Sequence, residues 1–267
     1  MPRKCDPLLP RRAVAQATHL ADHRIKMKNQ EQIDSQPLRV IIPCLNEESA
    51  IGSLVGSLLV KLDRSADRVI VVDNGSSDRT AEVARATGAE VVPEPKRGYG
   101  RACLAGVCAA ANGIAVFLDG DAADDPDDLE RVIEPLRAGS ADLVVGVRRQ
   151  REPGSMTHFQ LFGNRLATGL ISLLCGTRVT DLGPMRAIRV NRLLDLQSAA
   201  RTYGWSTEMT IKALRAGYRY LEVPVRHRRR IGRSKVSGNL PGSLRAGATI
   251  LWTVVRWSRW RPKVAVQ

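Results

Sequence analysis

Two carboxylates separated by a single glycine, Asp119-Gly120-Asp121, follow directly on the apolar run Val116-Phe117-Leu118. β-forming residues that stop at acids are the pattern of a buried strand reaching the rim of a parallel sheet, where open α/β sheets bind ligands. On a regular strand Asp119 and Asp121 would share a face, and Gly120 would leave room for a phosphate or ligand backbone to approach. Two carboxylates without a histidine suit a hard, oxygen-seeking cation, Mg²⁺ or Mn²⁺, that could bridge to a diphosphate. Asp-Gly-Asp is equally ordinary turn chemistry, and taken alone the motif leaves both readings open. Other charged groups stand at comparable places: Asp73 closes the run Val69–Val72 and Arg148 follows Val145-Gly146-Val147. Arg230-Ile231-Gly232-Arg233-Ser234-Lys235 is a basic loop with a glycine, either a lid that orders on phosphates or a solvated basic run.

The elements that would position these groups can be read from periodicity. Strands are expected at Leu38–Pro43, Val69–Asp73, Ala89–Val92, Ile114–Leu118 and Asp142–Val147. Between the first two, Ile51, Leu54, Val55, Leu58, Leu59 and Leu62 recur at the spacing of one buried helix face. Ser77 or Asp78 is placed to cap the helix after the second strand, Arg97-Gly98-Tyr99-Gly100 opens one through Ala111, and Asp127-Asp128-Leu129-Glu130 starts another. Five alternations of strand and helix predict a doubly wound α/β fold with a mostly parallel sheet. Further on, the sequence predicts a helix over Phe159–Leu174, a short strand at Met185–Ile188, a helix over Ser206–Ala216, a strand at Tyr220–Val225 and a last helix from Leu240 to Trp260.

The formal charge of the 267 residues is +14, which favours an anionic partner such as phosphate groups, nucleic acid or an anionic membrane. From Arg215 onward there are 13 Lys or Arg against one acid, Glu222. Arg245, Arg256 and Arg259 cluster within about 60° on a helical wheel, opposite Leu244, Leu251, Val254 and Val255, with Trp252, Trp257 and Trp260 alongside. Such a helix either lies on a membrane surface or packs on the protein's own core. No apolar run reaches the roughly 20 residues a spanning helix needs. Residues 1–36 read as a basic extension without packed structure, residues 37–240 as the globular domain and 241–267 as the basic helix. No zinc finger, helix-turn-helix or aromatic RNA-binding motif accompanies the charge, and aromatics are only 4%, so nucleic-acid binding is a remote alternative. Five cysteines without Cys-x-x-Cys spacing fit a reducing cytosol.

In order and separation these pieces resemble the family 2 glycosyltransferases of GT-A fold, and among them the dolichyl- or polyprenyl-phosphate mannose and glucose synthases, over about residues 38–240. Pro43-Cys44-Leu45-Asn46-Glu47 matches the family's Pro-x-x-Asn-Glu, and Asp73-Asn74-Gly75-Ser76-Ser77-Asp78 its Asp-Asp-Gly-Ser-x-Asp, with Asn74 replacing the second acid. Asp119-Gly120-Asp121 matches the Asp-x-Asp, but Ala122-Ala123 stand where relatives often carry a glutamine or similar polar residue, so a metal would either have fewer protein ligands or draw on Asp124. Asp181 ahead of Gly183-Pro184-Met185-Arg186 corresponds to Asp-x-x-Ser-Gly-Phe-Arg, Trp205–Met209 to a segment whose glutamate, Glu208, faces the acceptor, and Arg230–Lys235 to Arg-x-x-Gly-x-Ser-Lys.

The resemblance implies a nucleotide-sugar half over 37–150 and an acceptor half over 151–240. It implies donor contacts from Pro43, Asn46, Glu47, Asp73, Asn74, Gly120, Arg148, Arg230, Ser234 and Lys235, a metal on Asp119 and Asp121, and catalytic roles for these two acids with Asp181 and Glu208. The implied reaction is inverting, metal-dependent transfer of a hexose from UDP-glucose or GDP-mannose to a polyprenyl phosphate. A phosphate monoester, largely dianionic at neutral pH, needs no general base. A hydroxyl acceptor, soluble or in the cell envelope, is the alternative and would require Asp181 or Glu208 as base. The expected setting is the cytoplasmic face of a membrane, with peripheral contact and room for a membrane-protein anchor.

Overall fold

The structure, a computed structural model, describes residues 36–232 and 240–262. The expected extension 1–36 falls almost wholly outside the described residues, as do Ser234 and Lys235. Strands β1 (Leu38–Cys44), β2 (Arg68–Asp73), β3 (Glu90–Pro93) and β4 (Ile114–Phe117) alternate with helices α1 (Glu48–Leu59), α2 (Thr80–Thr87) and α3 (Tyr99–Ala110). A short 3₁₀ turn (Pro126–Asp128) leads into α4 (Leu129–Arg137), and then follow β5 (Leu143–Arg151), α5 (His158–Cys175), β6 (Arg186–Arg189), α6 (Val190–Asp195), α7 (Trp205–Arg215), β7 (Tyr220–His227) and α8 (Leu240–Trp257). Each expected strand and helix is present to within a few residues; α6, one and a half turns long, had too few residues to show a period.

The strands form one seven-stranded sheet in the order β3-β2-β1-β4-β6-β5-β7. β1, β2, β3 and β4 pair in parallel, as do β5 and β7, and β6 alone is reversed, antiparallel to both β4 and β5. Alternation along the strands feeds two cores. Val40, Ile42, Val71 and Val116 face α1 and α4, whereas Ile41, Val72, Ala115 and Phe117 face α3 and α7. Burial on both faces is why these strands read as unbroken apolar runs. A third, smaller cluster joins Ile171 of α5, Ile211 of α7 and Val254 of α8.

The reversal of β6 has a direct consequence for chemistry. Because β6 runs against its neighbours, the loop that enters it, carrying Asp181 and Gly183, lies at the same edge where β4 and β5 end. Asp119, Arg148 and Asp181 therefore meet at one rim, together with the ends of β1, β2 and β7.

Close helix–sheet packing rests on Gly106 of α3, where a Cβ would stand 2.4 Å from Ile41 Cγ2 and 3.1 Å from Val72 Cγ2. Gly106→Val is expected to destabilise the protein by about 1–3 kcal/mol through overpacking. Gly169→Ala, at an open position on α5, should instead stabilise by about 0.5–1 kcal/mol. Urea unfolding of both variants measures the difference.

Candidate active site

The acid pair sits beyond the last residue of β4, in the turn rather than on the strand, and Ala122 takes φ 57°. The two carboxylates consequently point to different partners. Asp119 Oδ1 accepts from the Tyr99 hydroxyl at 3.1 Å. Asp121 Oδ1 accepts from Ala123 N, and Asp121 Oδ2 lies 3.3 Å from Arg230 Nη1. Gly120 is required for a different reason than the sequence suggested: a Cβ there would stand 2.5 Å from Cys44 Sγ, so the protein itself fills the space reserved for a ligand.

Burial, then the charges of Asp121 and Asp124, push Asp119 up to about 7. Asp124 is 1% exposed, and among the described residues neither of its oxygens accepts a hydrogen bond; His227 Nδ1 lies 3.4 Å from Oδ1. Crowded, under-satisfied carboxylates of this kind fit a divalent cation. No group of three or more His, Cys, Asp or Glu among the described residues is arranged to hold one unaided. Asp119 and Asp121 would hold the ion, with the remaining ligands coming from diphosphate oxygens and water.

Around the acids the rim is cationic. Arg230 Nη2 reaches Glu47 Oε1 at 3.1 Å, so this guanidinium bridges Glu47 and Asp121. Arg228 N donates to Ala123 O and Ile231 N to Asp121 O, stitching the segment after β7 onto the acid turn. Arg148 and Asp181 form a two-pronged pair, Nε to Oδ2 at 2.9 Å and Nη2 to Oδ1 at 2.6 Å, and the Arg148 amide also donates to Oδ2. Burial opposes the Asp181 charge, but these bonds win and hold its carboxyl below the usual range. Arg186, fully buried on β6, donates to the carbonyls of Gly183 and Ser206.

The remaining expected residues divide into those at the rim and those spent on the scaffold. Pro43 is buried in β1 opposite Val72. Asn46, at φ 55°, accepts from Ser77 N at 2.7 Å and so ties the loop after β1 to the one after β2. Asp73 Oδ1 accepts from Ser76 N, a turn cap. Asn74 donates to Glu94 O and Lys96 O and accepts from Gly98 N; at 5% exposure its amide holds the loop before α3. Glu208 does not face an acceptor. It has no exposed surface, pairs with Lys212 at 2.6 Å and accepts from the amides of Ala199 and Ala200, which removes it as a general base. Tyr99 and His227 were not singled out in the sequence. The glycines flanking Tyr99 were its only local mark, and His227 carries no motif spacing.

A mostly parallel sheet with an Asp-x-Asp turn at its C-terminal rim defines a glycosyltransferase of GT-A fold. The profile of "Glycosyl transferase family 2" matches residues 39–190, and the chain belongs to that family of glycosyltransferases. It is 40% identical over 210 residues to an uncharacterized glycosyltransferase of Mycobacterium tuberculosis, covering 77% of this chain and 92% of the relative. It is 36% identical over 203 residues to a dolichyl-phosphate hexose transferase of Haloferax volcanii, covering 74% and 86%. The fold is shared with glucosyl-3-phosphoglycerate synthase of Mycobacterium tuberculosis, crystallised with Mn²⁺, UDP and phosphoglyceric acid, at a TM-score of 0.69 and 24% identity over 86% of this chain and 81% of that one.

A cation held by Asp119 would compete with its proton. With its carboxyl raised to about 7, Mn²⁺ affinity is expected to be flat above that pH and to fall up to about tenfold per unit below it. Electron paramagnetic resonance of free Mn²⁺ at pH 6, 7 and 8 reads this directly, and Asp121→Ala should abolish the binding.

Proposed function

We propose that the protein transfers a hexose, with inversion, from UDP-glucose or GDP-mannose to a polyprenyl phosphate. The observation that carries the acceptor is the state of Asp181, the acid expected at the acceptor end. Asp181 is clasped by Arg148 on both oxygens and held below the usual carboxylate range, a poor base for activating a hydroxyl. A phosphate monoester brings its own dianionic nucleophile. Beside Asp181 opens a cavity of about 490 Å³ lined by Arg149, Arg151, Arg178, Asn164 and Thr180. It adjoins one of about 470 Å³ that adds Arg165, His158 and Phe162. Arginine forks suit phosphate oxygens, and an apolar wall suits a prenyl chain.

On the donor side the rim offers Glu47, Asp73 and the Asp119–Asp121 turn to a nucleotide-diphospho-sugar, with Arg230 next to the diphosphate position. Ser234 and Lys235 would extend that clamp. A bound Mg²⁺ or Mn²⁺ would stabilise the charge that develops on the departing nucleoside diphosphate. Arg148 would add fixed positive charge near Asp119, and Arg230, released from Asp121, would add more. The phosphate oxygen of the acceptor attacks the anomeric carbon, the bond to the diphosphate breaks, and no proton is taken from the acceptor.

Contact with the surface of an anionic membrane is supported by the apolar side chains left bare on two adjoining helices. Phe162 (67% exposed) and Leu173 (79%) lie on α5, and Trp252 (63%) and Val255 (62%) on α8. Val254 of α8 is buried against α5 and α7, so only part of its apolar stripe remains available. Among the described residues no helix is long and apolar enough to cross a membrane. The side chains of Leu244 and Arg245 lie outside the described residues. The cytoplasmic leaflet, where nucleotide sugars are available, is the site of action in this reading.

Purified protein with radiolabelled UDP-glucose or GDP-mannose, polyprenyl phosphate and Mn²⁺ is expected to put label into butanol-extractable lipid, and Asp121→Ala to put in none. Asp181→Asn separates the acceptors. Loss of less than about tenfold fits a clasp on Arg148, whereas a drop of roughly 10²–10⁴ would identify Asp181 as general base and the acceptor as a hydroxyl.

A further inference from the structure

Helix α8 covers a buried ion pair of α7. Glu208 and Lys212, one turn apart on α7, have side chains no more than 2% exposed. The Lys212 ammonium donates to Gln197 O at 2.8 Å. It is capped from the α8 side by the ring of Trp257, 3.9 Å from Nζ to the centroid, and more loosely by Trp260 at 5.3 Å. Glu208 spends its two oxygens on the amides of Ala199 (3.0 Å) and Ala200 (2.6 Å). The next residues press directly on the start of α3. A Cβ on Gly100 would stand 2.3 Å from Ala200 O, one on Gly98 2.3 Å from Arg201 O, and Arg101 N donates to Arg201 O at 3.2 Å. Between those glycines stands Tyr99, whose hydroxyl bonds Asp119. Trp205, at the head of α7, also packs edge-on against Phe117, two residues before Asp119.

We propose that Lys212 and Glu208 are positioning residues for Asp119, held in place by the Trp257 cap. The cap shields the ammonium, the ammonium fixes the glutamate, and the glutamate fixes residues 199–201. These seat α3 so that the Tyr99 hydroxyl meets the carboxylate. A buried charged pair with every bond made is rigid, and removing one member leaves the others unpaired and costly. Glu208 thus acts on the site through the backbone rather than on the acceptor. The inference rests on the proposed function only where Asp119 is taken as a metal ligand.

The test uses the full chain with Trp257→Leu, Tyr99→Phe, their double variant, and Trp252→Leu as a control on the exposed side of the same helix. Amide hydrogen exchange is followed over residues 98–103 and 196–204, and Mn²⁺ binding by paramagnetic resonance. Trp257→Leu is expected to speed exchange in both segments while β1 and β2 stay protected, and to weaken Mn²⁺ about three- to tenfold. Tyr99→Phe should weaken Mn²⁺ comparably, and the double variant no further, since both break one linkage. Trp257→Phe, which keeps an aromatic face, should restore both readings, and Trp252→Leu should change neither. Trp260→Leu gives the same pattern in smaller measure and decides the matter if Trp257→Leu does not fold. Unchanged exchange at 98–103, or effects of Trp257→Leu and Tyr99→Phe that multiply, would overturn the proposal. A parent protein that binds no Mn²⁺ would count against the metal reading, while the exchange measurement still decides the coupling.

Discussion

Carboxylates do not gather in a low-dielectric rim unless positive charge is close at hand, and this constraint organises the whole C-terminal edge of the sheet. Asp119, Asp121 and Asp124 crowd one turn, and the chain brings guanidinium groups to its borders from three separate elements: Arg148 at the end of β5, Arg186 in β6 and Arg230 after β7. The compensation is incomplete. Asp119 stays raised, and among the described residues neither Asp124 oxygen accepts a hydrogen bond, an arrangement that would suit a cation.

Topology makes that gathering possible. Had β6 run parallel to β4 and β5, the loop that enters it would lie at the far edge. Reversing one strand puts Asp181 at the rim, where it takes hold of Arg148. In the proposed reading the same rim would carry two chemistries side by side, acids for a cation and diphosphate, arginines for an anionic acceptor. The formal charge of +14 is expressed locally in this division.

Much of the framework was legible because it is local. The strands β1, β2 and β4 are buried on both faces and so read as apolar runs, and Ile51, Leu54, Val55 and Leu58 mark the buried face of α1 by spacing alone. What escaped the sequence is decided between distant segments. The fate of Gly120 depends on Cys44, that of Asn74 on the loop at 94–98, and that of Glu208 on Lys212 together with backbone amides of the preceding loop. A glutamate on a helix looks the same in sequence whether it faces a substrate or a buried lysine. His227, close to Asp124 only because β7 ends beside the acid turn, had no local mark at all.

The central claim is that the Asp119–Asp121 turn takes a divalent cation together with a nucleoside diphosphate, at the cost of the Arg230 contact to Asp121. Anomalous diffraction at the manganese edge, from crystals grown with Mn²⁺ and UDP, tests it most directly. The account predicts one manganese peak within bonding distance of the Asp119 or Asp121 carboxylates and of the diphosphate, with Arg230 moved off Asp121. A diphosphate bound with no manganese at these acids, and Arg230 still paired with Asp121, would contradict it.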